Sequence, residues 1–192
     1  MGRLALSRET LDRVSERRSD EGWIARAWAD PRTRVLVVRD GRALAREDGD
    51  GLELRLVSPG EAPDGNRLLL GVDDDGIAYF GVTGPEVQAP VHSEEKEFKP
   101  VGLRQAGALL SDRDAGLFTH AVALANWHAS HTHCPRCGTP TVLTPGGHVT
   151  TCPADGSVHF PRVDPAVIML VTDPDDRCLL ARNVSWPERR MS

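Results

Sequence analysis

Two short cysteine-containing stretches, His133-Cys-Pro-Arg-Cys-Gly138 and Cys152-Pro-Ala-Asp-Gly-Ser157, specify how the middle of this chain folds. The first stretch separates two thiols by two residues and follows them with a glycine, which lets backbone amides turn toward sulfur. Fourteen residues lie between Cys137 and Cys152, and the turn Thr144-Pro-Gly-Gly147 would reverse the chain between them. This spacing predicts a ribbon of short strands folded around one tetrahedral zinc ion.

The predicted zinc ligands are three thiols and one carboxylate: Cys134, Cys137, Cys152 and Asp155. A complete ribbon would place a fourth cysteine three residues after Cys152, where this chain has Asp155. A carboxylate oxygen is a less common ligand of structural zinc but an acceptable one. His148 and His159 are alternative fourth ligands. Loss of the metal is a further alternative, in which packing and hydrogen bonds alone hold the ribbon.

The composition is that of a folded globular protein, with 192 residues of which 40% are hydrophobic and 27% are charged. A net charge of -5 gives no global reason to expect a polyanionic partner. No stretch approaches the roughly 18 consecutive apolar residues that a membrane helix needs. The first residues carry charges throughout, where a signal peptide would be apolar. We therefore expect a cytoplasmic protein without a membrane partner.

Residues 1–100 are predicted to form an N-terminal mixed sheet domain. The segment up to about Glu21 is expected to be a tail or a short helix. Apolar runs that alternate with turn signals then predict strands at 34–38, 52–57, 67–73 and 77–82. Their spacing favours a small antiparallel sheet. The charged segment 92–100 has no apolar pattern and is expected to be a loop.

Residues 101–130 are predicted to be a helical connection, and residues 131–162 the zinc ribbon. Apolar residues recur at helical spacing from Leu117 to Leu124, and Ser111 stands where a helix cap would. The helix should run to about His131. Three histidines then lie at its end and are expected to be exposed, where they favour the helix dipole: His128, His131 and His133.

Residues 163–192 are predicted to open a further domain. Apolar runs at 165–172 and 177–181 flank an Asp/Pro turn and predict two buried strands. Cys178 stands alone in the second run and is expected to be a buried core thiol.

Four segments, in this order, resemble the zinc-ribbon NAD(H) diphosphatase branch of the Nudix hydrolase superfamily. They are Gly102-Leu-Arg-Gln105 with Asp114-Ala-Gly-Leu-Phe118, the helix 121–131, the cysteine pair with its distant Cys152, and His159-Phe-Pro-Arg162 leading into Asp164-Pro-Ala-Val-Ile-Met169. The match covers roughly residues 100–192. The resemblance implies an α+β protein with an N-terminal mixed sheet domain, a zinc ribbon and the first strands of an incomplete Nudix α/β/α sandwich.

The resemblance also implies an enzyme. Members of this family split the diphosphate of NADH or NAD into nicotinamide mononucleotide and AMP, and some remove NAD caps from RNA. They use magnesium or manganese held by glutamates, because a divalent cation neutralises the diphosphate and activates water. They act as homodimers. Free NADH, NAD and capped RNA are alternative substrates for this protein.

Two residues fall at substrate positions of the family. Phe160 stands where the family has an aromatic residue that stacks on a substrate base, and Arg104 stands where it has an arginine near the substrate. Core packing is the alternative role for Phe160, and an ordinary surface position is the alternative for Arg104.

No stretch of the 192 residues fits the catalytic box of the family, G-x5-E-x7-R-E-x-x-E-E-x-x-G. No catalytic residue is therefore assigned, and we expect a chain cut before this box that is inactive by itself. The rival interpretations are a zinc-ribbon module that binds nucleic acid or protein, and a degenerate homologue without catalysis. Residues 131–162 hold only Arg136 and Arg162 as fixed positive charges, which disfavours the nucleic-acid module.

Overall fold

The structure is a computed structural model that describes residues 6–84, 97–162, 169–182, 184 and 186–191. The chain divides into two compact units, Met1–Pro161 and Arg162–Ser192. Helices and three separate sheets confirm the predicted α+β class. In chain order the α-helices and β-strands are α1 (Glu21–Ala29), β1 (Arg34–Val37), β2 (Arg42–Asp48), β3 (Gly51–Leu54), β4 (Leu56–Val57), β5 (Asn66–Val72), β6 (Ala78–Thr83), β7 (Lys99–Gly102), α2 (Leu103–Ala106), α3 (Asp112–Ser130), β8 (Val142–Leu143), β9 (Thr150–Thr151) and β10 (Val158–His159).

The first sheet has the strand order β4-β1-β6-β5 and is mixed. β1 and β6 run parallel with Val35 opposite Phe80, whereas the other neighbours are antiparallel. The expectation of an antiparallel sheet is therefore wrong for this sheet, whose mixed pairing agrees with the mixed sheet predicted for the N-terminal region. A hairpin does not join β1 to β6, because the intervening chain first forms β2 to β5, and such a crossover permits parallel pairing.

The second sheet has the order β3-β2-β7 and is antiparallel. The sequence did not predict β2, whose second half is charged although Ala43 to Ala45 are buried. β7 begins inside the segment 92–100 that was expected to be a loop, so that expectation is wrong at its end; residues 92–96 lie outside the described residues. Lys99 pairs with Ala45, and Pro100 is tolerated because β7 is an edge strand.

Two hydrophobic clusters hold the first unit together. One lies between the sheets and α3 and includes Leu36, Leu68 and Phe118. The other lies under α1 and includes Phe80, on whose ring the Trp28 ring stands edge-on at 5.3 Å. The sequence analysis did not predict α1, although Trp23, Ala27 and Trp28 recur at helical spacing around the buried Ile24 and pack against this cluster.

The helix predicted to end near His131 is confirmed as α3. The Ser111 hydroxyl caps its start by accepting from the Asp114 N–H at 3.2 Å. Asp114 is itself 1% exposed, and its carboxylate accepts from the Leu54 N–H at 3.1 Å. The cap and the buried carboxylate together join the start of α3 to β3.

The ribbon strands form a third sheet in the order β10-β9-β8. The turn that joins β8 to β9 docks on the first sheet, since Leu69 N–H donates to Gly146 O at 3.0 Å. Gly147 has a φ of +77°, and a Cβ at this position would meet Arg67 O at 3.0 Å and clash with the Leu68 side chain. A glycine is thus required where the ribbon contacts the sheet.

In the second unit, Thr172 and Cys178 form an antiparallel bridge across the turn that starts at Asp173. The expectation that Cys178 is buried is wrong: its side chain is exposed, as are its neighbours Leu179 and Leu180. No second layer covers this bridge within the described residues, and two strands bury little surface without one. Residues 165–168 of the first predicted strand lie outside the described residues.

The predicted domain boundaries stay predictions. Within the described ranges, the structure contains no helix that is both long and apolar enough to cross a membrane.

Candidate metal centre and substrate residues

The two cysteine-containing stretches fold into turns with the same backbone hydrogen bonds. In each turn the cysteine N–H donates to the carbonyl oxygen five residues further on, and the glycine N–H donates back to the cysteine carbonyl. The four bonds measure 2.8 or 2.9 Å: Cys134 to Thr139, Gly138 to Cys134, Cys152 to Ser157 and Gly156 to Cys152. Gly138 and Gly156 have φ values of +74° and +70°, a left-handed conformation that favours glycine. Asp155 therefore occupies the position in the second turn that Cys137 occupies in the first.

Four potential ligand atoms converge between these turns and form what we call the cysteine-aspartate cluster. The sulfurs of Cys134, Cys137 and Cys152 and a carboxylate oxygen of Asp155 lie within 4.8 Å of one another. Cys137 Sγ is 3.4 Å from Cys152 Sγ, and Cys134 Sγ is 3.7 Å from Asp155 Oδ2. Sulfur ligands of tetrahedral zinc, at about 2.3 Å from the metal, stand roughly 3.8 Å apart. The donor set and its spacing fit one zinc ion.

Asp155 is held in place by Ser157. The backbone N–H and the hydroxyl of Ser157 donate to Asp155 Oδ1 at 2.9 Å and 2.5 Å. The other oxygen, Oδ2, faces Cys134 Sγ and lies 4.0 Å from Arg136 Nε. The bonds from Ser157, with a smaller contribution from Arg136, hold the pKa of this carboxyl well below its usual range. The carboxylate is therefore charged and orients one oxygen toward the thiols.

The thiols differ in their electrostatic environment. The Ser157 hydroxyl, assisted by the backbone N–H groups of Arg136 and Cys137, lowers the pKa of Cys134 to about 6. Burial raises the pKa of Cys152 to about 11. A bound cation favours the thiolate form of its ligands, so zinc would offset the cost of ionising Cys152 in this buried position.

Neither histidine alternative lies in the cluster. His148 is buried, and its Nε2 is 2.7 Å from Leu69 O, so this side chain is engaged by the first sheet. His159 Nε2 is 3.2 Å from Ser157 Oγ, and His159 stands outside the four-residue group. Among the described residues, the geometry favours Asp155 as the fourth ligand.

Two further histidines lie where α3, β5 and the ribbon meet. The His120 and His148 rings are 5.2 Å apart, and His128 Nε2 is 2.8 Å from Gly147 O. Burial lowers the pKa of His148 to about 4 and that of His120 to about 3. The rings of His120 and His148 are therefore neutral at physiological pH. Sequence reasoning missed this contact, because the paired residues are far apart in the chain.

The histidines at the end of α3 are only partly as expected. His131 and His133 are exposed. His128 is half-buried, and burial lowers its pKa, so the expectation of an exposed side chain is wrong for this residue. The ribbon turn folds back over α3 at this point, which no helix pattern can show.

Phe160 lies directly after β10 and is 52% exposed. Its ring lines a groove of about 690 Å³ whose walls are the ribbon sheet and the segment 15–21. Core packing is therefore wrong as an account of Phe160, and an exposed ring in a groove is available to stack on a planar ligand. Arg104 is exposed on α2 and does not line this groove. The structure does not bring these two predicted substrate residues into one cavity, and both roles stay predictions.

The α+β unit and the paired turns together define a zinc-ribbon protein, in which three cysteines and one aspartate form a cluster that fits a zinc ion. Residues 32–127 match the NADH pyrophosphatase-like rudimentary NUDIX domain, and residues 129–160 match the NADH pyrophosphatase zinc ribbon domain. The chain belongs to the NADH pyrophosphatase family of Nudix proteins, which confirms the predicted resemblance. The rudimentary NUDIX match extends across both the predicted N-terminal domain and the helical connection.

The chain is similar to curated members of this family. It is 35% identical to the NAD-capped RNA hydrolase NudC of Mycobacterium tuberculosis (strain ATCC 25618 / H37Rv) over 194 aligned residues. The alignment covers 97% of this chain and 58% of that protein. It is 35% identical over 132 residues to the mitochondrial NAD(P)H pyrophosphatase NUDT13 of Homo sapiens, covering 64% of this chain and 37% of that protein. The chain thus spans little more than half the length of the bacterial relative.

Proposed function

We propose that this chain belongs to a metal-dependent hydrolase that splits the diphosphate of NAD(H) into nicotinamide mononucleotide and AMP, with NAD-capped RNA as a further substrate. The observation that carries this proposal is the succession of a rudimentary NUDIX domain and a zinc ribbon in one chain. Relatives named NAD-capped RNA hydrolase and NAD(P)H pyrophosphatase support it. We further propose a cytoplasmic homodimer.

Within this protein we assign the cysteine-aspartate cluster to one structural zinc ion. The cluster offers four donors and no donor from a fifth residue, which is the closed arrangement of structural rather than catalytic zinc within the described residues. Magnesium or manganese would serve the diphosphate itself, by neutralising its charge and activating water. No stretch of the 192 residues fits the glutamate-containing box that would hold this second metal. We therefore expect these 192 residues by themselves to be inactive as a hydrolase.

Phe160 and Arg104 remain the proposed substrate residues. An exposed phenyl ring can stack on adenine or nicotinamide, and an exposed guanidinium can bind phosphate through two parallel hydrogen bonds. Because the two side chains do not line one cavity, they would contact different parts of the substrate or act from different subunits of the dimer.

The decisive experiment for the hydrolase is to read the coding sequence beyond Ser192 and to assay its product. We expect a glutamate-rich box downstream, and release of nicotinamide mononucleotide and AMP from NADH in magnesium buffer by the protein that carries it. A reading frame that ends at Ser192 and yields an inactive protein would contradict the proposal and favour a degenerate homologue. Rapid NADH hydrolysis by the 192-residue chain would contradict the expectation that these residues contain no catalytic group.

The zinc assignment is tested separately by metal analysis of the purified chain. We expect one zinc per chain, and loss of zinc in Cys134→Ser, since removal of a thiolate opens the tetrahedral site. Cys178→Ser, which changes an exposed cysteine outside the cluster, is the matched control and should retain zinc. A purified wild-type chain without zinc would contradict the assignment.

A further inference from the structure

A polar cleft of about 430 Å³ is lined by residues of the first sheet, the second sheet and α3. Four arginines from four different segments line it: Arg34 of β1, Arg46 of β2, Arg55 between β3 and β4, and Arg113 in the first turn of α3. Glu53 and Glu61 are the carboxylates in this lining. On a chain whose net charge is -5, the cleft is a local excess of positive charge.

Carboxylates orient two of these arginines without withdrawing them from the cleft. Arg46 Nε and Nη2 bond to Glu53 Oε2 at 2.8 Å and 2.6 Å, and Arg113 Nε bonds to the buried Asp114 at 2.9 Å. The side chains of Arg46 and Arg113 nevertheless remain 42% and 45% exposed. Arg46 Nη1 lies a further 3.8 Å from Glu97 Oε2, so these carboxylates fix the two guanidiniums while leaving both side chains partly exposed.

Arg34 is anchored differently. Its Nη1 donates to the carbonyl oxygens of Pro31, Arg32 and Thr33 at 3.4, 2.8 and 3.2 Å. Within the described part of the chain, Nε and Nη2 of Arg34 have no hydrogen-bond partner. A guanidinium that is fixed by one amino group presents its remaining donors at a cleft wall with little further loss of side-chain entropy.

Aromatic rings support the guanidiniums from their faces. The Phe98 ring centroid lies 5.2 Å from the Arg46 guanidinium and 5.9 Å from that of Arg55, and the Tyr79 ring lies 6.0 Å from Arg113. Cation–π contacts position a guanidinium without using its in-plane N–H donors. The rings thus help to hold three cations at the wall of the cleft.

We propose that this arginine cleft binds phosphate groups, supplied by a free nucleotide or by the backbone of RNA. Planar guanidinium donors match pairs of phosphate oxygens and form short, charge-assisted hydrogen bonds with them. The cleft volume lies within the range of small-ligand sites. The proposal does not rest on the proposed hydrolase, because the cleft shares no residue with the cysteine-aspartate cluster and needs no chemistry.

The test is to titrate the 192-residue chain with pyrophosphate, ADP and a fluorescently labelled single-stranded RNA, using calorimetry and fluorescence anisotropy. We expect Arg34→Gln and Arg55→Gln each to weaken binding about tenfold, the cost of one charge-assisted contact. For RNA, the slope of log affinity against log salt should fall by about 0.7 for each lost phosphate contact. Arg34→Lys keeps the charge but loses the planar fork, so its affinity should be intermediate.

Arg42→Gln is the matched control, because Arg42 is an exposed arginine of β2 outside the cleft and its loss changes the net charge equally. Binding of ADP and pyrophosphate with weak RNA binding identifies a nucleotide site, and the reverse pattern identifies an RNA site. Failure of all three ligands to bind the folded chain would overturn the proposal. So would an equal loss in Arg42→Gln, or RNA binding that depends on Arg136 of the ribbon and not on Arg34.

Discussion

At the scale of the residue, Asp155 shows how a non-standard ligand is accommodated in a zinc ribbon. The second turn keeps the backbone hydrogen bonds of the first, with a glycine of positive φ in each, and only the ligand side chain differs. A carboxylate reaches further than a thiol and can rotate, so it needs to be fixed. Ser157 supplies this through two hydrogen bonds to the oxygen that does not face Cys134.

We therefore predict that Asp155→Ala lowers zinc affinity more than about 100-fold. Loss of a residue that only hydrogen-bonds to a metal ligand already lowers metal affinity roughly 10–100-fold, and Asp155 is itself a ligand in this assignment. Asp155→Cys should bind zinc at least as tightly as the wild-type chain, since it completes a site of four cysteines. Competition with a chromogenic chelator measures both. Asp64→Ala, at an exposed loop aspartate, is the control. Unchanged affinity in Asp155→Ala would show that another group is the fourth ligand.

Gly147 is the second residue on which the structure depends. A side chain there would have to displace the Arg67 carbonyl and the Leu68 side chain, in a backbone conformation with φ of +77°. We predict that Gly147→Ala lowers the free energy of unfolding by about 1–3 kcal/mol.

Urea denaturation of the zinc-loaded chain measures this loss. Gly138→Ala is the informative comparison, because Gly138 also has a positive φ but a Cβ at this position would meet no other atom within 4 Å. This variant should lose only the free energy that corresponds to backbone strain, which is less than the loss in Gly147→Ala. Equal costs for the two variants would mean that the contact with β5 adds nothing.

At the scale of the element, α3 links the two family domains of the chain. Its first turn is fixed to β3 through Asp114, and its last turns contact the ribbon through His128. The cap at Ser111 begins the helix a few residues after the end of α2 at Ala106. α3 is therefore fixed to the second sheet at its start and to the ribbon near its end.

We predict that Ser111→Ala lowers the free energy of unfolding by about 1 kcal/mol, because the Asp114 N–H loses its cap. Ser111→Asp should restore most of the loss, since aspartate is an equally good cap and its charge favours the helix N-terminus. Urea denaturation with zinc present gives both values. A Ser111→Asp variant as unstable as Ser111→Ala would indicate that the hydroxyl acts other than as a helix cap.

At the scale of the whole molecule, the ribbon is joined to the rudimentary NUDIX domain through neutral histidines. His148 bonds to Leu69 O, and His120 stands against it, both among buried groups. Their pKa values in the folded chain, about 4 and about 3, lie below the value near 6.5 of an unfolded chain. The unfolded state therefore binds more protons than the folded state below pH 6.5. The stability that these two neutral histidines contribute is fully present above that pH and is lost as the pH decreases toward 4.

We predict that the urea midpoint of the chain falls steadily between about pH 6.5 and pH 4. His148→Gln can still donate to Leu69 O but cannot titrate, so its midpoint should fall less steeply over the same range. His133→Gln removes an exposed histidine and should keep the wild-type slope. Thiolate ligands also protonate in acid, but they do so equally in the wild-type chain, His148→Gln and His133→Gln. Identical slopes of midpoint against pH for these three proteins would therefore contradict the role of His148.

The parts of this protein that could be predicted from its sequence are those that local rules specify. The spacing of the cysteines, the glycines that follow them and the apolar period of α3 depend on neighbouring residues, and they predicted the ribbon, the helix and the family. Strands β1, β5 and β6 were predicted for the same reason, as short apolar runs between turn signals.

Which distant residues meet became clear only from the folded chain. Three features join segments far apart in the chain: the parallel pairing of β1 with β6, the contacts of the ribbon turn with α3 and the first sheet through His128 and His148, and the convergence of four arginines on one cleft. Such contacts depend on how whole elements pack, and a hydrophobic period reports only which face of an element is buried. Cys178 shows the same limit: an apolar run predicted a buried thiol, but burial requires a second layer, and none covers it in the described residues.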